Sequence, residues 1–192
     1  MDQNQIIDGS GNGYLAGVNT DNKLITKSTI VPAIHEATLL GDAYSWTAVN
    51  ANIDAGDTAL CVVNQSNTRW LVISHAYVRV DVETQVKFHV PAVAVWDGTT
   101  VLGVNLNRNF AHTAPAVAYA DETVNAFVAA NVIETVYCAN AVNSQVTTSL
   151  GVKVDFNDAL ILGYDDALAV DVITEPGAFE CTIVGYFIDS PA

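Results

Sequence analysis

The run Trp70-Leu71-Val72-Ile73-Ser74-His75-Ala76-Tyr77-Val78-Arg79-Val80-Asp81-Val82 leads directly into Glu83-Thr84-Gln85-Val86-Lys87-Phe88-His89-Val90. In the first part Val78, Val80 and Val82 alternate with Tyr77, Arg79 and Asp81. In the second, Val86, Phe88 and Val90 alternate with Gln85, Lys87 and His89. A period of two puts successive side chains on opposite faces, so each part reads as a strand with one apolar face. With Glu83-Thr84-Gln85 as a loop, Val82 would face Val86, Val80 would face Phe88, and Asp81 would meet Lys87 as a favourable cross-strand pair. The pattern therefore predicts a hairpin that buries Val78, Val80, Val82, Val86, Phe88 and Val90 on one face.

The same texture extends outward. Leu60-Cys61-Val62-Val63 reads as a strand, and Asn64-Gln65-Ser66-Asn67 as the turn before Trp70. Farther on, Val152, Val154 and Phe156 alternate with Lys153 and Asp155. Leu160-Ile161-Leu162 reads as a short buried strand turned by Gly163-Tyr164-Asp165-Asp166. Leu168, Val170 and Val172 alternate with Asp171, and Glu175-Pro176-Gly177 turns the chain into Cys181-Thr182-Ile183-Val184-Gly185-Tyr186-Phe187. Residues 97–143 are less regular; Val124, Phe127 and Val128 have helical spacing, with Asp121 as a candidate N-cap. Short strands at close spacing without a βαβ rhythm predict an all-β, antiparallel β-sandwich or jelly roll over residues 41–192.

Residues 1–40 read as an extended N-terminal arm and connector. Asp8-Gly9-Ser10-Gly11-Asn12-Gly13 is too poor in apolar side chains to pack by itself. Tyr14-Leu15-Ala16-Gly17-Val18, the turn Asn19-Thr20-Asp21-Asn22 and Lys23-Leu24-Ile25-Thr26 then read as strand, turn and strand. Pro32 through Leu40 suits one or two helical turns, with Pro at the first position.

Composition removes several classes of function. The chain of 192 residues is 51% hydrophobic and 15% charged, with 7 Lys plus Arg against 21 Asp plus Glu and a net charge of −14. So few cations cannot neutralise a phosphate backbone, nor hold an anionic membrane surface, so neither nucleic acid nor membrane is an expected partner. No stretch reaches the length of apolar residues that a membrane span needs. Met1-Asp2-Gln3-Asn4 lacks the basic and apolar regions of an export signal, which predicts synthesis in the cytoplasm. Cys61, Cys138 and Cys181 are odd in number, widely spaced and set in apolar runs, as expected of reduced core thiols. Asn64-Gln65-Ser66 matches a glycosylation sequon but reads more simply as a turn.

The search for chemistry yields no constellation. His35, His75, His89 and His112 show no metal-ligand spacing on one element. His75 and His89 would lie on the polar faces of neighbouring strands, solvated or hydrogen-bonded. Gly9-Ser10-Gly11-Asn12-Gly13 is neither a nucleophile elbow nor a phosphate loop. Asp165, Asp166 and Asp171 lack the alternating ligand pattern of a calcium loop, and no carboxylate pair stands out for glycoside hydrolysis. Of Trp46, Trp70 and Trp96, only Trp46 has polar neighbours that suit a sugar-stacking ring. The expectation is a protein without catalytic residues, metal or cofactor.

Two stretches together carry a family likeness. Gly9-Ser10-Gly11-Asn12-Gly13-Tyr14, followed by Ala16-Gly17-Val18-Asn19-Thr20-Asp21-Asn22-Lys23-Leu24, resembles the N-terminal arm of tailed-bacteriophage virion proteins. Leu160-Ile161-Leu162, Asp166-Ala167-Leu168-Ala169-Val170 and Ile183-Val184-Gly185-Tyr186-Phe187 are similar to the closing strands of β-sandwich capsid decoration (cement) proteins. The resemblance implies a non-enzymatic virion component on the capsid surface whose partner is the major capsid protein lattice. A tail or fibre-base protein and a carbohydrate-binding β-sandwich are the alternatives. In this reading Tyr14, Leu15, Val18, Leu24 and Ile25 contact the capsid. Phe110, Ala111, Pro115, Val117 and Tyr119, apolar without clean alternation, form the interface of a homo-oligomer, a trimer in decoration proteins of this kind. A mean hydropathy of +0.28 agrees with an apolar surface reserved for an interface.

Overall fold

The structure, a computed structural model, describes residues 17–18, 24–25, 32–50, 53–54, 57–91, 96–123, 131–138, 140–143, 146–149, 151–173 and 178–190. Chain contacts divide it into two units, Met1–Pro32 and Ala33–Ala192. In the first, β1 (Gly17–Val18) pairs antiparallel with β2 (Leu24–Ile25), Gly17 opposite Ile25 and Val18 opposite Leu24. These are the two expected strands, and the expected turn at 19–22 lies outside the described residues.

The second unit begins with α1 (Ala33–Leu40). Pro32 precedes it with a φ already suited to a helix. Gly41 ends it with φ 79°, while Gly41 N–H donates to Thr38 O (3.1 Å) and Asp42 N–H to Ala37 O (2.8 Å). These two bonds satisfy the last carbonyls in the Schellman manner, which requires a left-handed residue where Gly41 stands. The sequence boundary at residue 40 thus falls after a helix that packs on the body: Ala37 shares a small cluster with Ala43, Val72 and Tyr186.

The body strands are β3 (Ala43–Asn50), β4 (Thr58–Asn64), β5 (Arg69–Val80), β6 (Thr84–His89), β7 (Thr99–Val101), β8 (Val104–Asn105) and β9 (Ala116–Glu122). They continue with β10 (Val132–Cys138), β11 (Asn140–Asn143), β12 (Val146–Ser149), β13 (Val152–Leu162), β14 (Ala167–Val172) and β15 (Phe179–Asp189). One sheet has the order β13-β5-β15-β3-β8, the other β10-β6-β14-β4-β9-β7, and β11 and β12 form a separate pair. The antiparallel pairs are nested along the sequence: β3 with β15, β4 with β14, β5 with β13, and β6 with β10. Successive pairs alternate between the sheets. A long antiparallel ribbon rolled up in this way is a jelly roll, so the expected architecture is present.

The hairpin predicted over 78–90 is not. β5 and β6 belong to opposite sheets, and Val82 is an exposed residue of the crossing between them. Val80 pairs with Phe179, whereas Phe88 pairs with Glu134 and Val170; Lys87 stands opposite Thr135 and Asp171, not Asp81. Val78, Val80, Val86 and Phe88 do share one core, but they enter it from its two sides. Val90 is half-buried beyond the end of β6. Alternation cannot tell a hairpin from a crossing between sheets, because either arrangement sends every second side chain to the same interior.

Two further expectations change. Leu160-Ile161-Leu162 is the end of the long β13, whose register shifts between Asp155 and Leu160. There Asn157 and Asp158 take left-handed φ values of 51° and 58°, a conformation that Asn and Asp tolerate better than most. Asp121 is not a helix N-cap but a residue of β9; 124–130 lie outside the described residues.

The core between the sheets holds Trp46, Leu60, Phe88, Leu168, Phe179 and Ile183 at its most buried positions. Part of the outer face of the six-stranded sheet is covered as well. β6 and β7 stand on opposite sides of β14 and β4 in that sheet. Trp96, just before β7, packs with Tyr119 against Cys61, Val63, Ala167 and Ala169. Both faces of β4 and β14 are therefore covered, and every residue of both strands is buried.

Candidate functional site

The sequence-predicted contact residues fall into separate places. Tyr14 and Leu15 lie outside the described residues, while Val18 is in β1 and Leu24 and Ile25 form β2. Phe110 and Ala111 are exposed in the loop after β8, where the Phe110 ring meets that of His112 edge-on at 5.4 Å. Pro115 precedes β9 and its carbonyl accepts from Gln65 N–H (3.2 Å). Val117 and Tyr119 are half-buried in β9, and the Tyr119 ring stacks on Trp96 with the planes 9° apart. The five interface candidates thus divide between the edge of one sheet and the outer face of the other.

At that edge the structure gathers apolar side chains which alternation did not mark. Leu39 and Leu40 at the end of α1, and Leu102, Val104, Leu106 and Phe110 on and around β8, are all exposed, Leu102 by 77%. Loop and helix end are tied together: Leu106 N–H donates to Ala43 O (2.9 Å), Asn105 Nδ2 to Gly41 O (2.7 Å) and Asn107 Nδ2 to Leu39 O (3.3 Å). From residue 98 to 120 the sequence has no carboxylate and includes Arg108 and His112. The β8 side of this rim is apolar and carries none of the chain's prevailing negative charge, whereas Leu39 and Leu40 lie between Glu36 and Asp42 in the sequence. The rim escapes a periodicity search because its residues come from a helix end and an irregular loop.

A groove of about 300 Å³ lies between α1 and the end of β15, walled by Ala33, Ala37 and Leu40 on one side and Tyr186, Phe187 and Ile188 on the other. Its one cation among the described residues, Arg69, is held in place. Nη1 bonds to Asp42 Oδ1 at 2.8 Å, Nη2 to Phe187 O at 3.2 Å, and the guanidinium carbon sits 5.6 Å from the centre of the Phe187 ring. The hydrogen bond to Asp42, against the opposing effect of burial, raises the Arg69 pKa further.

The most unusual polar group is inside the molecule. Asp171, wholly buried in β14, accepts from Thr58 Oγ1 at Oδ1 (2.6 Å), and its Oδ2 lies 2.8 Å from His89 Nε2. His89, placed by alternation on a solvated polar face, is only 1% exposed. His75, the other strand histidine, is half-buried on the opposite sheet, and burial pushes its pKa down. Thr58, Asp171 and His89 join three adjacent strands, and in this position they cannot meet a substrate from solution.

The remaining candidates are structural. All three cysteines are buried and unbridged, as expected, and burial pushes the Cys138 and Cys181 thiols up. Asn64, the sequon residue, is buried; its Nδ2 donates to Arg69 O and Leu162 O, and its Oδ1 accepts from Ser66 N–H. Asp165 and Asp166 form the expected turn, and no metal-ligating cluster occurs among the described residues. Trp46 is wholly buried, so the one ring offered to a sugar faces the core; Trp70 and Trp96 are half-buried rather than core. No helix among the described residues is long and apolar enough to cross a membrane. No known protein family, curated protein or solved structure matches the chain.

Proposed function

We propose that the chain is a non-enzymatic virion structural protein that decorates and stabilises a tailed-phage capsid, its body joining copies of itself and its N-terminal arm binding the major capsid protein lattice. The observation that carries this reading is the exposed apolar rim of Leu39, Leu40, Leu102, Val104, Leu106 and Phe110 on a jelly roll. Exposed apolar surface of this kind is retained where another protein covers it. The lack of carboxylates from residue 98 to 120, which holds Leu102, Val104, Leu106 and Phe110, suits self-association of a chain whose net charge of −14 otherwise repels its copies. The arm resemblance supports the lattice contact, through Tyr14, Leu15, Val18, Leu24 and Ile25.

Purified particles test the reading. The protein should co-sediment with assembled heads, and microscopy with a label on it should mark the capsid surface. Absence from washed particles would overturn the proposal. A label at the tail would make it a tail or fibre-base protein instead.

A further inference from the structure

We infer that the groove between α1 and the end of β15 is a docking site for a lysine-bearing apolar segment of a partner chain. This goes beyond the virion reading and does not depend on it. The groove walls are apolar and low: Ala33 and Ala37 are one helical turn apart and leave a slot, while the exposed Leu40 and Ile188 flank it. Carboxylates surround that slot. Glu36, Asp42 and Asp189 all line it, against Arg69 as the single cation among the described residues. Among the described residues Glu36 makes no ion pair, and Asp189 is 95% exposed with Arg69 Nε at 3.7 Å. Asp42 and the Phe187 carbonyl already hold the guanidinium, so among the described residues the groove presents no free cation to an anion.

What such a surface recognises follows from its chemistry. Apolar side chains fill the slot, and a flanking ammonium group meets Glu36 and Asp189. The net charge of −14 adds long-range attraction for a cationic segment. The volume of about 300 Å³ is at the low end of small-molecule pockets, roughly 300–1,000 Å³. It suits anchoring side chains of a segment that continues outside, rather than an enclosed metabolite.

The test uses the full chain and the peptide Gly-Lys-Leu-Ile-Ser-Lys-Gly, compared with Gly-Glu-Leu-Ile-Ser-Glu-Gly and with free lysine. The lysine peptide should bind with a Kd below about 1 mM, moving the amide resonances of Ala33–Leu40 and Tyr186–Asp189 and no distant ones. The glutamate peptide and free lysine should bind at least about tenfold more weakly. Glu36→Lys, an exposed change, should weaken the lysine peptide by about tenfold, and Ala33→Trp, which fills the slot, should do the same. Thermal midpoints recorded on both variants show that each remains folded. Failure of the lysine peptide to bind at about 1 mM, equal binding of the two peptides, shifts centred elsewhere, or full binding by both variants would each overturn the assignment.

Discussion

Asp171 shows what burial does to a residue whose place in the sequence looks ordinary. It alternates with Leu168, Val170 and Val172 and so reads as one polar tooth of an amphipathic strand; no local pattern reveals that Trp96 and Tyr119 roof part of the same face. Removing its carboxylate takes away the acceptor of the buried Thr58 hydroxyl and the group 2.8 Å from His89 Nε2, and leaving a buried donor unsatisfied typically costs about 1–3 kcal/mol. Asp171→Ala should show a loss of this size in chemical denaturation. By contrast Lys87→Ala, a half-buried neighbour on β6, should cost about 1 kcal/mol or less. Phe88→Ala should cost about 3–5 kcal/mol, since the ring is buried and meets Phe156 edge-on at 5.7 Å. Equal losses at Lys87 and Phe88 would contradict the described faces of β6. Asp57 supplies a pH test. Burial first, and then Asp54, Asp121, Asp97 and Asp171, raise its pKa. The native state therefore holds this proton more tightly than the unfolded chain, and stability from this group falls as pH rises through the folded value. Asp57→Asn should raise the thermal midpoint at neutral pH, and the gain should vanish below about pH 3, where both states are protonated.

At the scale of elements, the short-range signals were legible and the long-range pairings were not. Pro32 and the Gly-Asp step after Leu40 mark the limits of α1, and the strands around Val62, Val80, Val154 and Val170 stand where alternation puts them. The partner of each strand is a different matter. β5 and β6 are separated only by residues 81–83, yet they pair with β13 and β15, and with β10 and β14. Of the rim, only Phe110 was visible in the sequence, because its other members gain a common surface from the turn at Gly41. That turn is fixed twice over. Gly41 has φ 79°, and a Cβ there would stand 2.6 Å from Phe110 Cγ. Backbone strain of this type costs about 1–3 kcal/mol. Gly41→Ala should lower stability by at least that much, and Gly41→Ala with Phe110→Ala should recover the part due to the clash. A double-mutant cycle measured by denaturation separates the two.

At the scale of the whole molecule, nested pairing makes stability a property of the entire body. β3 meets β15, so the first and last strands of the ribbon must close together, and no local segment carries a complete core. The unit from Ala33 onward contains every member of the main hydrophobic cluster, while Met1–Pro32 forms its own compact unit. Deleting residues 1–28 keeps Pro32 before α1, together with the Gly41 turn, both sheets and the apolar rim. The shortened chain should therefore unfold in one cooperative transition at an unchanged midpoint, and light scattering should give the oligomeric state of the full chain. If the arm is the lattice contact, the shortened chain should no longer sediment with capsids. Loss of the oligomer or of the fold on deletion would place the arm within the body's own stability. Retained capsid binding would move the lattice contact to the body, with the rim as the first surface to mutate.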